Sequence, residues 1–153
     1  MKSAAKSAHR FVSLPSTLKR GDLESKHQAF VVKWLRNRRL LFTAPGNGHF
    51  SNVRSRSKAT AQGMQRGVPD LLIFEPRHNF TGLAIEMKRP KPYASMLSYD
   101  QLEYHRRLRL NGWAVYTCYG AQEALDLLMW YFDAPSHLQD DCEEREDDAA
   151  ASI

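Results

Sequence analysis

Two apolar runs constrain the fold most: GVPDLLIFEP, beginning at Gly67, and LAIEMKRP, beginning at Leu83. Each has the make-up of a buried strand, yet each carries charge. Pro69 suits a strand start and holds Val68 extended, so Asp70 is the first residue there able to aim a side chain. Along the second run side chains alternate, so Leu83, Ile85 and Met87 face a core while Ala84, Glu86 and Lys88 share the opposite face. The intervening EPRHNFTG supplies a hairpin connection. Pairing the runs brings Asp70 and Glu86 together near one end of a sheet. Two carboxylates held that close repel each other unless something positive sits between them. A hard divalent cation with oxygen and water ligands answers that need. Lys88 can then hold a water or neutralise phosphate charge, which suits metal-assisted hydrolysis of a phosphodiester. The plainer alternative is a solvated strand end with a Glu–Lys pair of little worth, which leaves the upstream Pro–Asp unexplained.

Charge favours a polyanionic partner. The formal net charge of +5 hides an asymmetry, because residues 137–153 hold seven acidic residues against one basic residue, Arg145. The remainder has 21 basic and 10 acidic residues, a net of +11. Residues 1–20 carry Lys2, Lys6, Arg10, Lys19 and Arg20 with no acid, and are expected to form a basic flexible arm. The acidic run 140–148 is expected to be disordered. Cys118 and Cys142 lie in unlike settings and suit free thiols of a reducing, intracellular compartment. No apolar run is long enough to span a membrane.

At 153 residues the chain can form one domain with a real core. Asp22 is a suitable N-cap for a helix of about 17 residues whose apolar face holds Leu23, Phe30, Val31, Trp34 and Leu35. Residues 40–44 suggest a short strand, and 45–67 a long irregular loop rich in Gly, Ser, Asn and Arg. Strands are expected at 69–74 and 82–88. Ser98 opens the next helix in capping-box spacing with Gln101, and Gly112 ends it. A strand at 113–119 and a helix at 121–132 complete a mixed α/β arrangement, its last strand joining parallel through a helical crossover. Within the final helix, Ala121, Leu125, Leu128, Met129 and Phe132 seat it on the sheet. Ala124, Leu127, Trp130 and Tyr131 form a second apolar face, which suggests a homodimer through Leu127, Trp130 and Tyr131.

GVPDLLIF followed by LAIEMKRP resembles the VRR-NUC (virus-type replication–repair nuclease) branch of the PD-(D/E)XK superfamily. The resemblance covers residues 22–132 and implies a restriction-endonuclease-like α/β core, a mixed central sheet flanked by helices, and Mg²⁺- or Mn²⁺-dependent DNA cleavage. It implies that Asp70 and Glu86 bind metal, that Met87 offers its backbone carbonyl, and that Lys88 is the catalytic lysine. It also matches Glu24 to a metal-binding glutamate of the first helix and Gln101 to a glutamine on the helix after the E-x-K strand. Glu24 also reads as a helix-dipole partner, and Gln101 as a cap whose side chain can serve the site only if it does not turn back. Gln28 and Tyr104 are weaker neighbours of these positions. APGNGHF departs from the family's segment before G-V-P-D, which leaves Asn47 and His49 as polar turn residues. The resemblance carries an association with flaps, nicks and four-way junctions.

Arg54, Arg56, Lys58 and Arg66 of the loop, with Arg89, are expected to meet DNA phosphates. With no base-reading helix apparent, selection by DNA structure is expected, and a two-fold dimer would favour four-way junctions. Three rivals stand: an HNH-type nuclease using His49 and Asn52, which lacks further ligands; a catalytically inactive DNA-binding module; and an assembly role for the acidic tail. His27 and His105 read as surface or satisfied core histidines, and Arg106, Arg107 and Arg109 as a solvated helix face.

Overall fold

The computed structural model describes residues 13–45 and 53–132, apart from the side chains of residues 55 and 56. The elements run α1 (Glu24–Asn37), β1 (Phe42–Thr43), α2 (Val53–Ala61), β2 (Leu71–Ile73), β3 (Leu83–Lys88), α3 (Tyr99–Leu110), β4 (Ala114–Tyr119) and α4 (Ala121–Phe132). One mixed sheet is ordered β1-β2-β3-β4. β2 is antiparallel to both β1 and β3, while β4 returns through α3 to lie parallel to β3. The parallel crossover expected from the sequence is present.

β3 is central and buried along its whole length. Its Leu83, Ile85 and Met87 join Val31 and Leu35 of α1 and Leu125 and Leu128 of α4 in one apolar cluster. Its Glu86 and Lys88 instead meet α3 through Gln101. The alternation expected for this strand therefore sorts one face to the core and the other to the charged residues. Leu14 and Leu18, within the expected N-terminal arm, also pack on the core.

Three local expectations need correction. Leu23, not Asp22, stands at the N-cap of α1, with no side-chain cap bond, and it is largely exposed. Asp22 accepts from the Lys19 N–H at 2.9 Å and from Lys26 Nζ at 3.0 Å, closing the turn before the helix. These bonds, that of Lys19 first, hold its carboxyl below the usual range. The segment 45–67, expected to be irregular throughout, contains α2. The second face of α4 is partly covered within the chain: Ala124 and Tyr131 are fully buried. Tyr131 donates its hydroxyl to the Glu75 carbonyl at 2.8 Å, and the His78 ring stacks on Trp130 with centroids 4.7 Å apart. Leu127 is half-buried and Trp130 half-exposed. The segment joining β2 to β3 thus covers Tyr131 and one face of Trp130, while Trp130 stays 47% exposed.

Cys118 is a free, buried thiol whose burial pushes it up to about 12, in keeping with an unreactive core cysteine. Cys142, Asn47, His49, Asn52 and the acidic tail lie outside the described residues.

Candidate active site

Strand register builds the site. Leu71 pairs with Ile85, so one step further along the antiparallel ladder Asp70 comes opposite Glu86, on the face away from the core. Asp70 is anchored as well as aimed. Its Oδ2 accepts the Met87 backbone N–H at 2.8 Å, and its carbonyl accepts from Gln28 Nε2 at 3.4 Å. The Met87 side chain is buried in the core, and its peptide lies against the Asp70 carboxylate. Gln28, a weak candidate from sequence, thus fixes the backbone of a candidate acid.

Gly67 places this strand entry against α3. Its φ is +79°, and a Cβ there would sit 2.2 Å from the Asp100 carbonyl oxygen. A left-handed backbone and a backbone-to-backbone approach both require glycine. Gly67→Ala should therefore destabilise the protein by about 1–3 kcal/mol and push the strand entry at Asp70 away from the start of α3. A Tm equal to that of the unchanged protein would show that the approach is slack.

Asp70, Glu86 and Lys88 are 7%, 1% and 6% exposed, so three charges are nearly out of water. Lys88 Nζ lies 3.1 Å from Glu86 Oε1 and 3.5 Å from Gln101 Oε1. Gln101 Nε2 donates to Glu86 Oε1. Gln101 also completes the capping box: its Oε1 accepts the Ser98 N–H at 2.9 Å, while its own N–H donates to Ser98 Oγ at 3.2 Å. The capping and site roles, expected to exclude each other if the side chain turned back, coexist because the amide oxygen caps while its nitrogen meets Glu86.

Glu24, half-buried in the first turn of α1, belongs to the same electrostatic group. Burial raises its pKa most, Lys88 opposes that rise, Glu86 adds to it, and Arg89 lowers it. Two buried carboxylates, Asp70 and Glu86, thus stand with a single buried ammonium, that of Lys88, and half-buried Glu24 feels the charges of Lys88 and Glu86. Such a surplus of buried negative charge is costly without a further cation. The donors are hard oxygens, which suit Mg²⁺ or Mn²⁺ rather than a soft metal. No group of three His, Cys, Asp or Glu among the described residues stands close enough to hold a metal with side chains alone. Two close carboxylates, with water in the other positions, match the habit of Mg²⁺ of retaining several waters.

The expected phosphate-binding residues divide. Arg54 and Lys58 are exposed and four residues apart on α2, so they share one helical face; the Arg56 side chain lies outside the described residues. Arg66 is exposed but pairs with Asp100 at 3.0 Å, so its charge is partly offset. Arg89 is a clasp rather than a free cation: its Nη2 donates to the Gly21 carbonyl at 2.6 Å and its Nε to the Asp22 carbonyl at 3.3 Å. Arg106 pairs with Glu103 on the outer surface of α3.

Sequence reasoning missed His105. It is 1% exposed, and its Nε2 lies 3.9 Å from Glu86 Oε2. Its spacing of four from Gln101 was the available signal, because that spacing puts both on one face of α3. Tyr104 is half-buried beside it. A separate cavity of about 450 Å³ lies between Leu14, Leu18, His27 and the start of α4, and none of the candidate acids lines it.

The family model described as "VRR-NUC domain" matches residues 16–122. A solved structure described as a VRR_NUC domain protein superposes with a TM-score of 0.57 at 22% sequence identity, over 76% of this chain and 92% of that one. At that identity the likeness is one of fold. No curated protein matches the chain.

Proposed function

The chain belongs to the VRR-NUC family of nucleases, with the restriction-endonuclease-like α/β fold, and we propose on that premise that it is a divalent-metal-dependent, structure-selective DNA endonuclease. The observation that carries this reading is the Asp70 carboxylate bonded to the Met87 N–H at 2.8 Å, next to Glu86, whose own carboxylate lies 3.1 Å from Lys88 Nζ. Asp70, Glu86 and the Met87 carbonyl would hold Mg²⁺ or Mn²⁺, with Glu24 beside them. When bound, the ion polarises the scissile phosphate and lowers the pKa of a coordinated water. Lys88 is the catalytic lysine: its ammonium donates to water or to a phosphate oxygen and offsets the negative charge that develops there. Gln101 holds the Glu86 carboxylate and faces Lys88, so it limits how far either can turn.

The substrate reading is DNA selected by shape through phosphate contacts. Arg54 and Lys58 on α2, with Arg56, are the leading phosphate contacts. Arg89 is set aside because its donors serve the turn before α1. The homodimer, and with it the bias toward four-way junctions, rests on Trp130 and Leu127 alone, because Ala124 and Tyr131 are buried within the chain. Four-way and flap DNAs therefore stand as arms of one test. Linear, flapped, splayed and four-way DNAs are incubated with the protein and Mg²⁺, and the products mapped at nucleotide resolution. Preferential cuts near branch points support the reading; equal cutting of linear duplex removes structure selectivity from it.

Arg54→Ala and Lys58→Ala should each lower the log–log slope of DNA affinity against salt by about 1, without changing preference among DNA shapes. An unchanged slope would place DNA elsewhere on the surface.

A further inference from the structure

We propose that His105 is a positioning residue for Glu86, holding its Oε2 by donation from Nε2 so that the carboxylate keeps one orientation toward a metal. The proposal rests on the reading of Asp70 and Glu86 as metal-binding acids. Glu86 Oε2 and His105 Nε2 are both buried, and neither has a hydrogen-bond partner. They lie 3.9 Å apart, so a small shift of either side chain completes the bond. Buried polar atoms are nearly always paired, and two orphans facing each other supply each other's missing partner. The roles on α3 are divided by spacing. Gln101 meets Oε1 of Glu86, and His105, one turn further along, meets Oε2. A carboxylate has about four lone-pair positions. Lys88, Gln101 and His105 account for three, so what remains for a cation has a set direction. Carboxylates that ligate metals are themselves held in this way, and losing such a partner typically weakens metal affinity by about 10–100-fold.

Calorimetric titration of the full chain with Mn²⁺, without DNA, tests this. His105→Phe keeps bulk but removes the donor, and should bind Mn²⁺ at least about tenfold more weakly. His105→Gln presents an amide where Nε2 stood and should restore affinity close to that of the unchanged protein. If His105→Phe does not fold by circular dichroism, His105→Asn takes its place, since its shorter amide cannot reach Oε2 and the same weakening is expected. Asp70→Asn is the control for the site itself. Unchanged Mn²⁺ affinity in His105→Phe or His105→Asn, alongside weakened binding in Asp70→Asn, overturns the role of His105 and leaves the site standing. Equal Mn²⁺ binding by Asp70→Asn and the unchanged protein overturns the metal site, and this inference with it.

Discussion

Asp70→Asn, Glu86→Gln and Lys88→Met each lower Mg²⁺-dependent DNA cleavage by on the order of 10²–10³-fold or more. The amides are chosen over alanine because they keep the shape of a buried site. Asn can still accept the Met87 N–H that Asp70 Oδ2 accepts at 2.8 Å. The carboxylate variants should lose cleavage by losing metal, and their DNA affinity in EDTA should equal or exceed that of the unchanged protein, because one negative charge near the phosphate is gone. Lys88→Met should lose cleavage with metal still bound. Its Tm should also fall, because it removes the ammonium 3.1 Å from a buried carboxylate. Mn²⁺ titration beside a cleavage assay separates the two kinds of loss. Cleavage at the unchanged rate by any one variant removes that residue from the mechanism.

Gln101→Ala has the second-largest expected effect, and Ser98→Ala is its control. Ser98→Ala removes the hydroxyl that caps α3 and should cost about 1 kcal/mol of stability while leaving cleavage nearly intact. Gln101→Ala removes the other half of the box and also the contacts to Glu86 and Lys88. It should match the stability loss of Ser98→Ala and in addition cut more slowly by about tenfold or more. Chemical denaturation and single-turnover cleavage, measured on both, decide between them. Equal cleavage by the two variants would make Gln101 a cap and nothing else.

What proved legible in the sequence was what local chemistry dictates. Strand alternation and the fixed entry at Pro69 bring Asp70 and Glu86 toward one end of a paired sheet, because register follows from which residues must face the core. The Ser98–Gln101 spacing showed the start of α3, and Gly112 its end. The helix α2 was missed for a physical reason. VRSRSKATA has almost no apolar residues and so no hydrophobic stripe, and its Gly-, Ser- and Asn-rich surroundings read as loop. Its Arg, Lys and Ala nonetheless favour helix. The cover of α4 was illegible because it is long-range: His78 and Glu75 reach Trp130 and Tyr131 from more than 50 positions away. Asp22 misled because a good capping residue has other uses, here the Lys19 N–H and Lys26. The metal-facing candidates were visible because they lie within short motifs. His105 was not, because a histidine on a helix has many ordinary explanations and only the position of Glu86 singles this one out.

The most direct measurement takes one preparation of the protein on labelled branched DNA, first in EDTA and then with excess Mg²⁺, with Glu86→Gln carried through the same steps. Binding without cutting is expected in EDTA, strand cleavage when Mg²⁺ is added, and binding without cleavage by Glu86→Gln throughout. Stable binding that never becomes cutting in Mg²⁺ or Mn²⁺, or cutting that proceeds equally in EDTA or in Glu86→Gln, would contradict metal-dependent cleavage at this site.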